Sequence, residues 1–279
     1  MSVRTARGTA LPGRLVLLGH PVGHSLSPVF QNAALDAAAI PLRYEVEDVP
    51  EASWPSVVGR LIAARAAGNV TVPHKRRMFE SCVRRTALAE RVGAVNTFWC
   101  EAGGLVGDNT DVDGFRVAAE SLLADALSDR EVVLLGAGGA ALAVCAAIEA
   151  SGGRVAVHAR SPEAAMAMAA RFPRTVRVAS ELTAALEGAQ LVVNATPLGL
   201  HPGEALPIDV ARLPATVAVL DLGYRRGGTT ALVAEASARG LRAADGREML
   251  LAQGALAFER WFGVAPDVAA MRAALSAAG

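Results

Sequence analysis

Short apolar runs alternate along this chain with longer stretches in which apolar positions recur at helical spacing. The first pattern reads as buried strand and the second as amphipathic helix. Their regular alternation is the mark of a parallel α/β architecture. Residues 14–19 read as a strand and 28–39 as a helix, with Ser27 at the N-cap and Pro28 at the first helical position. Residues 42–49 form a second strand, 54–66 a second helix, and 70–72 a short third strand stopped by Pro73. Strands 94–100 and 105–109 face each other around the turn Ala102-Gly103-Gly104.

A helix over 114–127, with Asp113 as a plausible N-cap, leads into a second unit. There, 131–135 reads as strand, 139–150 as helix and 154–159 as strand, and the alternation continues through 162–171, 175–178, 182–186 and 191–195. Another strand spans 217–222 and another helix 230–239. The last long helical pattern, 248–262, carries Trp261 and Phe262 and suits a helix that packs back on the first unit. The expected division is 1–113 with 247–279, and 114–246. A chain of 279 residues agrees with two domains.

Composition narrows the class. Lys plus Arg equal Asp plus Glu at 27 each, and no basic run stands out, so bulk charge offers nothing to nucleic acid or to an anionic membrane. No apolar run approaches the ~20 residues of a membrane span, and the first residues, Met1 to Pro12, read as a short tail and not a signal peptide. Three cysteines without a C-x-x-C pair fit a reducing, cytoplasmic setting. His20 and His24 have metal-ligand spacing, but Pro21 and Gly23 interrupt the helix that would align them, so no metal site is expected.

The chemistry gathers at the ends of strands. V-V-L-L-G-A-G-G-A-A, beginning at Val132, fits a dinucleotide fingerprint: it follows a strand and opens a helix. Gly136 makes the turn, Gly138 admits the pyrophosphate, and Ala141 allows close helix–strand packing. The helix N-terminus offers its amides to phosphate. At the end of the next strand stands Ala159-Arg160-Ser161, where NAD sites usually carry a carboxylate. With no acid to repel a 2′-phosphate and Arg160 to pair with one, the preferred cofactor is NADP.

In the first unit, Lys75 ends G-N-V-T-V-P-H-K and Asp111 ends G-D-N-T-D, with Asn96 between them in G-A-V-N-T. A lone lysine is usually a solvated charge. Beside a carboxylate, it is held as the ammonium and can stabilise and protonate an alkoxide. Asp113 competes with Asp111 for this role, and its place as an N-cap assigns the chemistry to Asp111. His74, with nothing to pair with it, reads as structural. Ser25 and Ser27 precede a helix and could hold a small carboxylate, although, taken alone, capping of the helix by Ser27 and shaping of the turn by Ser25 explain them better.

In order and spacing, G-H-P-V-G-H-S-L-S-P, N-V-T-V-P-H-K, G-A-V-N-T, G-D-N-T-D, G-A-G-G-A-A, N-A-T-P-L-G and G-R-E-M-L-L-A-Q-G resemble the shikimate dehydrogenases over nearly the whole chain. The resemblance implies an N-terminal α/β substrate-binding domain and a Rossmann-type domain, with the C-terminal helix returning to the first. It implies reversible NADP-linked reduction of 3-dehydroshikimate to shikimate, a step toward chorismate and the aromatic amino acids. Lys75 and Asp111 are then the catalytic pair. Ser25, Ser27 and Tyr224 hold the substrate carboxylate, and Thr71, Asn96 and Gln253 hold the ring hydroxyls. Gly136, Ala137, Gly138, Gly139 and Ala140 form the phosphate loop, Arg160 and Ser161 the 2′-phosphate clamp, and Leu222, Gly246 and Met249 surround the nicotinamide.

Three positions depart from the family pattern. Gln31-Asn32 replaces a usual His-Asn, Ala164 stands where a second clamp arginine is common, and Arg225-Arg226-Gly227-Gly228-Thr229-Thr230 replaces a Pro-rich segment. Quinate or amino-shikimate remain alternative substrates within the family, and a non-catalytic nucleotide-sensing protein on the same fold is the alternative outside it. The expected partner is a small-molecule substrate, with no nucleic acid and no membrane, and the expected assembly is a monomer or a homodimer.

Overall fold

The computed structural model describes residues 10–201 and 203–278, so the expected tail lies outside the described residues up to Thr9. The described residues separate into two compact units, 10–110 with 251–278, and 111–250.

The first unit starts with β1 (Arg14–Gly19), α1 (Ser27–Ala37), β2 (Tyr44–Asp48), α2 (Trp54–Ala63) and β3 (Ala66–Val70). It continues with α3 (Lys75–Ser81), β4 (Arg84–Arg85), α4 (Ala87–Val92), β5 (Thr97–Glu101) and β6 (Gly104–Asp108). The sheet order is β2-β1-β3-β5-β6-β4. β1 pairs in parallel with β2 and β3, while β5 runs antiparallel to both β3 and β6. Leu15 to Leu18 of β1 are all buried, as a parallel strand covered on both faces requires. Val16, Leu18, Val57, Leu61, Met78 and Phe98 belong to one core beneath α2 and α3.

β3 is not the segment its sequence suggests. The β-branched Val70-Thr71-Val72 has the propensity, yet the strand is Ala66–Val70 and Val72 is 68% exposed. Ala-Ala-Gly-Asn is a poor strand former in isolation. Here it is the buried centre of the sheet, with Gly68 opposite Val16 on one side and Phe98 on the other. Gly68 comes so close to its neighbour that a methyl there would run into the Val16 carbonyl oxygen. Tertiary context overrides propensity at this strand. The hairpin of β5 and β6 forms as its sequence predicts, with Glu101 opposite Gly104 and Gly103 at φ +111.

The second unit contains α5 (Asp111–Leu123), β7 (Glu131–Leu135), α6 (Gly139–Ala150), β8 (Arg154–His158), α7 (Pro162–Arg171) and β9 (Val176–Val178). After these come α8 (Leu182–Leu186), β10 (Leu191–Asn194), β11 (Ala218–Asp221), α9 (Ala231–Ala238) and β12 (Ala243–Ala244). Every pairing is parallel, in the order β12-β11-β10-β7-β8-β9. This is the doubly wound Rossmann order, whose direction of winding reverses between β7 and β10. Val133, Leu135, Val192, Val219 and Leu232 fill the core between sheet and helices.

α10 (Arg247–Phe262) carries the chain back, and α11 (Val268–Ala278) packs against α1. Within the first unit, Trp261 Nε1 donates to Thr97 Oγ1 at 3.0 Å and Arg260 Nε to Asp108 Oδ2 at 2.7 Å. The C-terminal helix therefore returns to the first domain. α3, α4 and α11 had no counterpart in the sequence reading. α4 nonetheless has clear signals: Thr86 Oγ1 caps Ala89 N–H at 3.2 Å, and Gly93 closes the helix at φ +74.

Candidate active site

The registers of the first sheet bring distant segments to one edge. β1 and β3 are parallel, so residues 20–27 and 71–75 leave the sheet at the same end. Asn69 faces Thr97 and Thr97 faces Asp108, so Asn96 enters β5 and Asn109-Thr110 leaves β6 at that end too. The edge thus gathers Ser25, Ser27, Thr71, Lys75, Asn96 and Thr110. Asp111 follows Thr110 directly and is buried.

Asn96 is the hub. Its Nδ2 donates to Thr110 Oγ1 at 3.0 Å and to Gln253 Oε1 at 3.3 Å, and its Oδ1 accepts the Thr110 N–H at 2.7 Å. Its carbonyl accepts from Val70 N at 2.8 Å and from Asn69 Nδ2 at 3.1 Å. Asn69 in turn accepts the Tyr44 hydroxyl at 2.7 Å. The three strand-end segments around 70, 96 and 110 are thereby locked together, and Asn96 meets Gln253 of α10. Lys75 is half-buried, the first residue of α3, and its carbonyl accepts Val95 N–H at 3.0 Å. Thr71 is tied by its own N–H to Leu18 O at 2.8 Å.

Some sequence assignments change. α1 begins at Ser27 itself, with Leu26 in the N-cap position and no side-chain cap bond. Ser25 Oγ instead accepts Ser27 N–H at 3.2 Å, so the two buried serines are joined within the turn. Asp113 does not cap α5, which starts at Asp111; it lies in the first turn, 3.5 Å from Arg116. His74 is structural but not unpaired: fully buried, it meets Val49 O through Nε2 at 2.6 Å and stacks on Trp54 at 4.8 Å. At the Gln31 departure, Nε2 donates to Gly254 O at 2.9 Å, next to Gln253.

In the second unit the glycine turn lies at the carboxyl end of β7, at the winding reversal. A Cβ on Gly136 would come within 2.9 Å of Thr196 Cγ2 and 3.1 Å of Ala195 O, so the close approach excludes a side chain. Gly138 and Gly139 have nothing within 4 Å of a built Cβ, and α6 opens at Gly139 with Ala137 and Ala140 alongside. That bare turn at a helix N-terminus fits a dinucleotide pyrophosphate. Arg160 is exposed beyond β8. Ser161 is engaged: its Oγ caps Ala164 N–H at 3.2 Å and donates to Glu163 Oε2 at 2.8 Å. A carboxylate does therefore stand beside Ser161, two positions past the end of the strand-end segment 159–161 read from sequence alone. Leu222 and Gly246 meet, since a methyl on Gly246 would strike Leu222 O; Gly246 N–H donates to Gly223 O at 2.9 Å, and Met249 lies one turn on, buried. Tyr224 is half-buried in the loop after β11.

Sequence reading passed over Asp221, the buried last residue of β11. Its Oδ1 accepts from Asn194 Nδ2 at 3.1 Å and Gly223 N–H at 3.0 Å, while Oδ2 is buried without a hydrogen-bond partner. Burial pushes this carboxyl up to about 6, against the opposing pull of Gly223, Thr230 and Asn194. Its signal in the sequence is a lone acid closing an apolar run. The folded state holds the proton more tightly than the unfolded chain, so Asp221 contributes stability that is complete below its unfolded pKa and is lost as pH rises through about 6. Between pH 7 and pH 5 the parent should gain on the order of 1 kcal/mol in urea unfolding relative to Asp221→Asn, whose amide does not titrate. Matching pH profiles for the two proteins would show that Asp221 titrates normally.

Cys82 and Cys145 are free and buried, their thiols pushed up to about 12 by burial, and neither belongs to the site. Among the described residues no group of three or more His, Cys, Asp or Glu could hold a metal ion, and no helix is long and apolar enough to cross a membrane.

A Rossmann unit with a glycine-lined phosphate turn, carried on one chain with a second α/β unit whose sheet edge gathers a lysine, amides and hydroxyls, defines a two-domain dinucleotide-binding protein. Residues 17–98 match the family model described as the shikimate dehydrogenase substrate binding domain, and 246–275 that of the shikimate 5'-dehydrogenase C-terminal domain. The chain is 42% identical to the shikimate dehydrogenase (NADP(+)) of Rubrobacter xylanophilus, with 100% of each chain covered. It resembles the crystal structure of shikimate 5-dehydrogenase from Thermus thermophilus in complex with NADP(H) and shikimate, at TM-score 0.86 and 37% identity over 95% of this chain and 99% of that one. Quinate dehydrogenase from Corynebacterium glutamicum in complex with NAD is also similar in fold, at TM-score 0.85 and 28% identity over 94% and 98% of the two chains. The chain belongs to the shikimate dehydrogenase family.

Proposed function

We propose that this protein is an NADP-dependent shikimate dehydrogenase, interconverting 3-dehydroshikimate and shikimate in chorismate biosynthesis. The observation that carries this reading is the Asn96 hub, which joins Gln253 and Thr110 at the sheet edge where Lys75, Thr71 and the serines emerge. When bound, the dinucleotide supplies or accepts the hydride. Gly136 to Ala140 would hold its pyrophosphate, Arg160 and Ser161 its 2′-phosphate, and Leu222, Gly246 and Met249 its nicotinamide.

The side chains do the rest. Lys75, oriented by Asp111, donates a proton to the ketone oxygen in reduction and withdraws it from the alcohol in oxidation. Thr71, Asn96 and Gln253 hold the ring hydroxyls, so that the reacting carbon is presented in one orientation. Ser25, Ser27 and Tyr224 take the carboxylate through hydroxyl donors. The free thiols suit a cytoplasmic setting.

The direct test is an assay at 340 nm with shikimate or quinate, each with NADP or NAD. Strong rates only with shikimate and NADP, and weak but measurable rates with NAD, are expected. Preference for quinate would overturn the substrate assignment, and preference for NAD the role of Arg160. Two variants divide the binding roles. Ser25→Ala is expected to raise the shikimate KM about tenfold with turnover nearly intact, as lost uniform binding does; a pure turnover defect would contradict that role. Arg160→Ala is expected to raise the NADP KM roughly tenfold or more and leave the NAD KM unchanged. Equal losses with both cofactors would remove Arg160 from the clamp. With Ala164 in place of a second arginine and Glu163 already on Ser161, Arg160 carries most of the discrimination.

A further inference from the structure

The loop joining β11 to α9 holds Tyr224 and then Arg225-Arg226-Gly227-Gly228, a composition that by itself favours mobility. Gly227 and Gly228 sit at φ +68 and +133, so prolines could not stiffen it in this conformation. Yet the loop is fastened at both ends. On the β11 side, Asp221 Oδ1 accepts Gly223 N–H at 3.0 Å and Gly223 O accepts Gly246 N–H at 2.9 Å. On the far side the fastening is Arg247. Its Nη2 donates to Arg225 O at 3.1 Å and also to Gly228 O, two carbonyls that flank Arg226-Gly227.

The guanidinium is aimed by Asp245, which accepts Arg247 N–H through Oδ1 at 3.2 Å and stands 3.6 Å from Nη1 through Oδ2. Arg247 Nε is buried with no hydrogen-bond partner. A buried donor left unmet is a cost, so this arginine is not placed for the best local hydrogen bonding. Nη2 alone spans the loop, donating both to the carbonyl of the residue next to Tyr224 and to Gly228 O, while Nη1 faces Asp245. A planar fork can hold two carbonyls at once, as a lysine ammonium on a flexible stem does less well.

We propose that Arg247 is a positioning residue that latches the 224–229 loop to the start of α10 and so fixes Tyr224 for the substrate carboxylate. The second half of this statement rests on the reading of Tyr224 given under the proposed function. The latch replaces, by hydrogen bonds from a neighbouring element, the stiffness that the loop's own glycines withhold.

Trypsin tests the latch without reference to activity, because Arg225 and Arg226 are cleavage points inside the loop. Arg247→Met keeps the stem and removes the donors. Cleavage after Arg225 or Arg226, followed by mass spectrometry of the full-length protein, is expected to speed up about tenfold, the scale of one lost charge-assisted hydrogen bond. The shikimate KM should rise by about the same factor, with kcat and the NADP KM changed less than about threefold. Arg247→Lys should fall between parent and Met in both readouts, and thermal melts compare the folded state of each variant. Unchanged proteolysis in both variants overturns the latch. Faster proteolysis with an unchanged shikimate KM overturns the positioning role if Tyr224→Phe does raise that KM. If Tyr224→Phe leaves it unchanged as well, the assignment of Tyr224 has failed, and faster proteolysis still supports the latch itself.

Discussion

Replacing Lys75 by Ala is expected to lower turnover by roughly a hundredfold or more, the scale of general acid–base catalysis. The expectation rests on where the lysine sits. It opens α3, a place where a cation works against the helix dipole and gains nothing for the helix. Its backbone is held by Val95 N–H regardless of the side chain. The side chain is half-buried at the sheet edge shared with Thr71 and Asn96. Truncation should therefore leave the fold within about 0.5 kcal/mol of the parent while removing the proton donor. Stopped-assay turnover beside a urea unfolding curve separates the two effects. Intact turnover in Lys75→Ala would take Lys75 out of the chemistry. Asp111→Asn, which keeps the shape but not the charge, should impair turnover in the same direction.

Gly68→Ala is expected to have the largest effect on stability. Gly68 lies in β3 between β1 and β5, and an added methyl would meet the Val16 carbonyl oxygen, a backbone atom that no rotamer change can move aside. Relief requires shifting one central strand against another. Overpacking of this kind costs about 1–3 kcal/mol and here should reach the upper end or beyond. For the first unit that corresponds to a fall in melting midpoint of about ten degrees. A midpoint within about two degrees of the parent would show that β1 and β3 are further apart at this point than the register implies. The variant also bears on the site, because Asn69 and Val70, the next residues along β3, hold the carbonyl of Asn96. Loss of shikimate affinity should accompany the loss of stability.

The Rossmann half was the more legible in sequence. Its strands are apolar runs closed by a glycine turn or a polar residue, and its helices begin at Gly139 and Pro162 where the punctuation places them. The substrate half was harder. β3 contains Ala-Ala-Gly-Asn, which no propensity marks as strand, and it becomes one because two neighbours pair with it. α3 and α4 are too short to establish a period. Ser27 looks like a helix cap in the chain, and only the backbone shows that Ser25 receives its N–H instead.

The same division holds for the site. The sequence by itself determined which residue types are available and where they lie: Lys75, Asp111, Asn96 and the glycines of the phosphate turn at strand ends, and Gln253 on the last long helix. Local order suffices for that, because strand ends and glycine turns are short-range features. Tertiary structure alone decided that Asn96 meets Gln253 across 157 positions, that Asp221 is buried beside Asn194, and that Arg247 reaches back to Arg225 and Gly228. Those contacts depend on sheet register and on the return of α10. Both are set by the packing of many residues together, which no single segment encodes.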